Sequence, residues 1–149
     1  MQNWGLFYQV ACDIETSVQL NGKWGVIDYN GNEIIKTNFD EVGYCTNGLI
    51  AVSYGDYKGE EYYGIYGLYN AHGDKICPVI YDSIYVAGNI ITAKLNGKYS
   101  LMDRKGNDIS KIKYDNVEKI NYDKLLQKYD SFVFVEKDGK RFVVNENGV

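Results

Sequence analysis

Short stretches in which apolar and polar residues alternate run along the chain, separated by glycine-containing turns. Trp24 and Val26 lie two residues apart, as do Tyr66 and Leu68, and a period of two is the pattern of a β-strand. Further predicted strands, rich in apolar residues, occupy residues 33–35, 49–52, 75–80, 90–93 and 132–135. This pattern predicts an all-β protein.

Two kinds of turn separate the predicted strands. Asn-Gly pairs at residues 21–22 and 96–97 suit type I′ hairpin turns, in which both central residues take a positive φ. In the second kind, Asp or Asn is followed three positions later by Gly. We expect the short polar side chain to accept hydrogen bonds from backbone amides while Gly takes the left-handed conformation. This second turn occurs four times, at Asp28 and Gly31, Asn70 and Gly73, Asp103 and Gly106, and Asn145 and Gly148.

The turns mark an internal repeat, because their glycines are spaced by 42, 33 and 42 residues. Nine residues after each of the first three glycines stands an Asp preceded by an aromatic residue. We interpret these aspartates as turn caps, since a residue that defines the fold must recur in every copy. The alternative is a rim that binds a cation or a basic partner. The three pairs are Phe39-Asp40, Tyr81-Asp82 and Tyr114-Asp115.

The order Lys23-Trp24-Gly25-Val26-Ile27-Asp28, then Gly31, Ile34-Ile35 and Phe39-Asp40, resembles the WG-repeat family. The resemblance covers about residues 20–148, although the later copies drift from the motif. It implies a module of β-repeats and no particular chemistry. The residues expected to form the structural motif are Trp24, Gly25, Asp28, Gly31, Asp40, Gly67, Asn70, Gly73, Asp82, Asp103, Gly106 and Asp115.

We predict a single all-β domain over residues 1–149, made of about three and a half antiparallel three-stranded meanders. One meander cannot bury its apolar face alone, so the copies are expected to stack or to close into a barrel-like or propeller-like sheet. Residues 3–10 are expected to form a strand that covers the edge of the C-terminal repeat. At most one short helix is expected near residues 120–130. The predicted repeats span residues 20–55, 62–95, 96–137 and, in part, 138–149.

Composition and charge argue against several classes of partner. With 16 basic and 20 acidic residues, the chain has no excess of positive charge for binding nucleic acid. No apolar run reaches the ~18 residues of a membrane span, and the N-terminus lacks the pattern of a signal peptide, so we expect a cytoplasmic location. Cys12, Cys45 and Cys77 form no C-x-x-C pair, which favours buried reduced thiols over disulfides or a zinc site.

No group of catalytic residues is apparent in the sequence. The only histidine, His72, stands beside a turn glycine, where a solvated side chain is the usual case. The glycines are spread one to a turn and form no phosphate-binding loop. We therefore expect a protein that is not an enzyme and that holds neither a cofactor nor a metal.

Residues 54–63 differ from the other copies, because a tyrosine-rich insertion replaces the tight turn. We expect a loop there that contacts a partner, and the alternative is a longer hairpin. The connection at residues 118–131 is a second candidate contact region. The candidate partner-binding residues are Tyr54, Tyr57, Glu60, Glu61, Tyr62 and Tyr63.

The leading functional hypothesis is a non-enzymatic module that binds another protein, because tyrosine is enriched in recognition surfaces. One alternative is a small inhibitor, such as an immunity or phage counter-defence protein, since the chain is acidic, rich in aromatic residues and without catalytic groups. Another is a glycan-binding module that stacks sugars on tyrosine. The oligomeric state does not follow from the sequence.

Overall fold

The computed structural model describes residues 6–9, 15–118 and 132–148, and it confirms the all-β class. The described residues form strands and turns, and the helix expected near residues 120–130 lies outside them. The strands are β1 (Leu6–Gln9), β2 (Glu15–Leu20), β3 (Lys23–Asp28), β4 (Glu33–Phe39), β5 (Glu41–Thr46), β6 (Leu49–Lys58), β7 (Glu61–Asn70), β8 (Lys75–Tyr81), β9 (Ser83–Ala87), β10 (Ile90–Leu95), β11 (Lys98–Met102), β12 (Asn116–Glu118), β13 (Phe132–Lys137) and β14 (Lys140–Asn145).

The strands form four antiparallel sheets, and within each sheet neighbours along the chain are neighbours in space. The first sheet is β1 to β4, the second β5 to β8, the third β9 to β11 and the fourth β12 to β14. The structure has one strand in each repeat that the predicted three-stranded meander did not include. That strand directly follows each repeated Asp, as β5, β9 and β12. Its sequence signal is the apolar residue two positions after the Asp.

The chain divides into two compact units, Met1–Ile80 and Tyr81–Val149. Each unit buries an apolar cluster of its own. That the units fold together as one domain stays a prediction. The clusters contain Val26, Ile35, Phe39, Cys45, Ile50 and Val52 in the first unit, and Ala87, Ile90, Leu101, Tyr114, Val117, Val133, Val135 and Val144 in the second.

Both predicted turn types are present. Asn21 and Gly22 have φ angles of +51° and +77°, as a type I′ turn requires, and the pair at residues 96–97 repeats this geometry. In the second type, Asp28 Oδ1 accepts hydrogen bonds from the backbone N–H groups of Asn30, at 2.9 Å, and Asn32, at 2.8 Å. Hydrogen bonds from Asn32 lower the pKa of Asp28. These bonds hold the carboxylate within its own turn.

The N-terminal strand does not pair as predicted. β1 pairs with β2, from Leu6 opposite Gln19 to Gln9 opposite Thr16, so its partner is the next strand along the chain and not the C-terminal repeat. A neighbouring strand needs only a short connection, so this pairing costs less chain entropy than a contact across the sequence.

The prediction of three reduced thiols is wrong for Cys45, which is disulfide-bonded. Cys77 is a buried thiol, and burial raises its pKa to about 11. Because disulfides persist mainly in oxidising compartments, the bond at Cys45 weighs against the expected cytoplasmic location, which stays a prediction. Within the described ranges, no helix has the length and apolar character needed to cross a membrane.

Candidate functional site

The tyrosine-rich segment is a paired hairpin, so the prediction of a loop at residues 54–63 is wrong. β6 and β7 each run ten residues and stay paired as far as Lys58 and Glu61. Only Gly59 and Glu60 form the turn, and Gly59 has a φ of +67°. Glycine at the first turn position is typical of a type II′ hairpin. The longer hairpin, considered as the alternative from the sequence, is therefore what the chain forms.

The hairpin divides its tyrosines between two faces. Directly opposed residues of an antiparallel pair share a face, and successive residues alternate between faces. Tyr57 lies opposite Tyr62 on one face, and Tyr66 follows on that same face. Tyr54 and Tyr63 lie on the other face. A contact surface made of all these residues at once is therefore not possible.

Tyr62 lies across the backbone of two facing glycines. A Cβ atom added to Gly55 would lie 2.8 Å from the Tyr62 hydroxyl, and one added to Gly64 would lie 2.7 Å from Cε1 of the same ring. The hydroxyl also forms a 2.8 Å hydrogen bond with the buried hydroxyl of Ser53. Burial raises the pKa of Tyr62. The glycines thus leave room for a fixed aromatic ring on the surface of the sheet.

An open cleft of about 240 Å³ lies on this face of the second sheet, and we name it the tyrosine cleft. Its rings meet edge to face, with centroids 5.1 Å apart for Tyr57 and Tyr62 and 6.3 Å apart for Tyr62 and Tyr66. The Tyr57 hydroxyl donates a 2.8 Å hydrogen bond to Oε1 of Glu41, and this bond raises the pKa of Tyr57. The remaining lining residues are Val42, Gly43, Ala51, Val52 and Ser53.

Only two of the six predicted contact residues, Tyr57 and Tyr62, line the tyrosine cleft. Tyr54 is half-buried on the opposite face, with its ring centroid 5.1 Å from that of Phe39. Its hydroxyl accepts a 3.0 Å hydrogen bond from the side-chain amide of Asn38. These contacts join Tyr54 to the apolar cluster of the first unit and take it out of the candidate site.

The other three predicted contact residues lie at the hairpin tip, outside the cleft. The Tyr63 hydroxyl donates to a carboxylate oxygen of Glu61, and Nζ of Lys58 lies 5.2 Å from the centroid of the Tyr63 ring. Glu60 is exposed in the turn. At the tip, Lys58, Glu61 and Tyr63 therefore contact one another and lie apart from the residues that line the cleft.

Sequence reasoning missed Glu41 and Tyr66, which complete the cleft. Tyr66 stands in the repeat position of Trp24, so the sequence alone does not distinguish it from a residue of the repeat motif. Glu41 directly follows one of the repeated aspartates, in a strand that the predicted meander omitted. The aromatic character of residue 66 was the available signal, and only the register of β6 on β7 assigns it to the same face as Tyr57.

The repeated aspartate Asp40 links two hairpins. Its carboxylate accepts from Nζ of Lys23, beside the turn between β2 and β3, and from the backbone N–H of Gly55 at 3.0 Å. The bond from Lys23, followed by that from Gly55, lowers the pKa of Asp40. Both oxygens are therefore engaged inside the first unit.

The two other aspartates make contacts of the same kind. Asp115 accepts from Nζ of Lys98 and, at 2.8 Å, from the backbone N–H of Asp138. Asp82 accepts from the backbone N–H of Asn96 at 2.9 Å, and the lysine position of its repeat holds an isoleucine. These contacts favour the structural interpretation of the aspartates. Across residues 6–9, 15–118 and 132–148, no three His, Cys, Asp or Glu side chains come together in a group able to hold a metal ion.

Acid should weaken the first unit partly through Asp40. Because its pKa is lowered from 3.8 in the folded state, its contribution to stability is present above about pH 4 and is lost progressively as the pH falls further. We expect Asp40→Asn to lower the melting temperature at neutral pH and to flatten its decline in acid. Thermal unfolding followed by circular dichroism at a series of pH values measures this. Asp82→Asn, at the site without a lysine, is the control, and an equal effect of both substitutions would contradict the role of Lys23.

The repeat seen in the structure also matches a known family of sequence repeats. Two stretches of the chain, residues 24–57 and 66–99, match the model of the WG containing repeat. The chain therefore contains two WG repeats. Both matches begin at the residue that opens the motif, Trp24 in the first WG repeat and Tyr66 in the second. No curated protein and no solved structure matches the chain significantly.

The tip of the tyrosine hairpin falls between the two matched WG repeats. The first match ends at Tyr57 and the second begins at Tyr66, so residues 58–65 belong to neither. The tyrosine cleft therefore takes Glu41 and Tyr57 from the first WG repeat, Tyr66 from the second and Tyr62 from the insertion. The WG repeats supply the strands, and the insertion supplies the ring that forms the floor of the cleft.

Proposed function

We propose that this WG-repeat chain is a non-enzymatic binding module that holds another protein at the tyrosine cleft. The observation that carries the proposal is the set of three tyrosine rings and the Glu41 carboxylate that meet on one face of a fully paired hairpin. Tyrosine offers a large apolar contact together with a hydroxyl, at little cost in side-chain entropy. A concave surface built on paired strands is also held in shape before a partner arrives.

The character of the cleft favours a partner that presents a hydrogen-bond donor or a positive charge. Glu41 is the only charged residue among those that line it. Tyr57 is 56% exposed, so its ring and the carboxylate that it bonds are both within reach of a partner. A cationic side chain gains from a carboxylate and from the face of an aromatic ring.

The two other hypotheses have less support. Sugars stack on the flat face of an aromatic ring, whereas the rings of Tyr57 and Tyr62 stand at 65° to one another and offer no shared flat surface. A role as an inhibitor stays a prediction. It would require that the bound protein be an enzyme or complex whose activity is lost.

A pull-down quantified by mass spectrometry tests the proposal, using tagged wild-type chain and the variants Tyr57→Ser and Glu41→Gln. Both residues are on the surface, so these variants should fold. We expect recovery of the partner to fall by about tenfold or more with Tyr57→Ser, as for a residue at the centre of an interface. Tyr29→Ser is the matched control, because Tyr29 is 82% exposed and outside the cleft. A partner lost equally in the control, or retained by Tyr57→Ser, would overturn the proposal.

A further inference from the structure

The strand that follows each hairpin turn of the repeat is covered on its outer side in three sheets out of four. β3 pairs there with β4, and β7 pairs there with β8. In the third sheet, β11 is bridged by Asp108, opposite Met102, and by Tyr114, opposite Tyr99. We call residues 33–40, 75–82 and 108–115 the closing segments. In the fourth sheet β14 is the last strand in the order, and no described residue pairs with its outer edge.

One repeat position is buried in the three sheets that have a closing segment and exposed in the fourth. Val26, Leu68, Leu101 and Val143 occupy the same place in the four copies. The first three are 0%, 1% and 0% exposed, whereas Val143 is 53% exposed. A side chain that is buried in three copies is thus exposed in the fourth, on the strand whose outer edge pairs with no described residue.

Lys140, at the same edge, differs from the corresponding lysines of the first and third copies in its ion pairing. Lys23 pairs with Asp40, and Lys98 pairs with Asp115, in each case with the Asp that ends the closing segment. Lys140 stands in the aligned position of the fourth copy. Within the described residues no carboxylate forms an ion pair with Lys140. Among the described residues, none supplies the outer edge of β14, Val143 or Lys140 with the contacts that a closing segment makes in the other sheets.

The closing segments share a chemistry that defines what would fit. Each carries an isoleucine six residues before its Asp, at Ile34, Ile76 and Ile109, and an aromatic residue directly before that Asp. In the third sheet the N–H of Ile109 donates to the carbonyl of Leu101 at 2.9 Å, and Ile109 packs against the apolar cluster.

We propose that the outer edge of β14 binds an extended segment of another polypeptide, with an isoleucine or similar residue beside Val143 and an aromatic-Asp pair at Lys140. This surface is distinct from the tyrosine cleft. An exposed strand edge is a template for an added strand: the backbone hydrogen bonds provide affinity, and side-chain complementarity provides specificity. The acidic end of the segment complements Lys140, as Asp115 complements Lys98.

Phe142 indicates which of the closing segments a segment bound to β14 would resemble in its backbone path. Gly25 and Gly67 let the backbones of β4 and β8 approach closely, since an added Cβ would meet backbone atoms of those strands. The fourth copy has Phe142 at this place and the third has Ser100. A segment on β14 therefore follows the third sheet, where residues 108–115 touch β11 at both ends and leave Ser100 room between them.

The test uses a capped synthetic peptide of residues 107–116 and the ¹⁵N-labelled full chain, with binding followed by NMR. We expect amide shifts on β14 and loss of binding with Val143→Asp. Lys140→Glu should weaken binding by about threefold to fivefold, the contribution of an exposed ion pair. A peptide that carries Asp115→Lys should regain the lost affinity when it binds the Lys140→Glu chain, and should not bind the wild-type chain more tightly. Because Val143 and Lys140 are exposed, both variants should keep the wild-type circular dichroism spectrum.

Three results would overturn the proposal. Absence of binding at millimolar peptide would show that the edge does not accept a strand of this chemistry. Shifts confined to β11 would show that the peptide merely exchanges with the chain's own closing segment. Self-association without peptide, abolished by Val143→Asp, would assign the edge to a second copy of the chain instead of another polypeptide.

Discussion

Gly25→Ala is expected to destabilise the first unit by about 3 kcal/mol or more, because a strand backbone occupies the space that the methyl group needs. A Cβ atom at residue 25 would lie 2.6 Å from the backbone N of Thr37 and would also strike the carbonyl oxygen of Ile35. Both atoms belong to β4, which pairs with β3. The clash cannot be relieved by a side-chain rotation, so β3 and β4 must separate.

Gly43→Ala is the matched control for this substitution. An added Cβ at residue 43 would meet nothing closer than 3.6 Å, which is ordinary contact with Ala51. We expect its free energy of unfolding to stay within about 0.5 kcal/mol of wild type. Urea unfolding followed by circular dichroism measures both variants. Equal stability of the two variants would show that β4 does not approach Gly25 as closely as described.

The features that the sequence predicted correctly are those carried by a few adjacent residues. Asn21-Gly22 specifies its hairpin turn through two residues that tolerate positive φ, and Asp28 forms its turn through amides two and four residues away. Such signals are complete within a short window of sequence. Their recurrence then identified the repeat and the all-β class.

The strand at Glu41–Thr46 could not be recognised in the same way. Gly43 weakens its strand propensity, and the pairing with β6 shifts register between Val42 and Cys45, so the alternation of apolar and polar residues is broken. What makes it a strand is its pairing with β6, which alternation within the segment does not reveal. This is why the predicted meander was one strand short.

The tyrosine cleft was predicted only in part for a similar reason. Gly55 and Gly64 weaken the strand signal on either side of the turn, because glycine has no side chain to pack on a sheet. In the structure the two glycines face one another across the hairpin, and the ring of Tyr62 covers them. Cross-strand register decides which tyrosines share a face, and register depends on the position of a single turn.

Replacing valine by alanine at the same repeat position should lower the free energy of unfolding strongly in the first copy and hardly at all in the fourth. We expect Val26→Ala to cost about 2–3 kcal/mol of unfolding free energy, since Val26 is 0% exposed and the cavity would be lined by the cluster that contains Ile35. Val143→Ala should change stability by less than about 0.5 kcal/mol, since Val143 is 53% exposed. Denaturant unfolding of the two variants beside wild type measures the difference.

The comparison isolates the closing segment, because the residue type and the repeat position are the same in both copies. Val26 is opposed by Ile35 of β4, whereas the described residues bring no strand to the outer edge of β14. A large loss of stability with Val143→Ala would mean that Val143 is covered in the free chain, and the edge of β14 would then have no vacancy for another polypeptide. A small loss, together with weaker binding of the 107–116 peptide, would show that burial at this position is supplied by the bound segment.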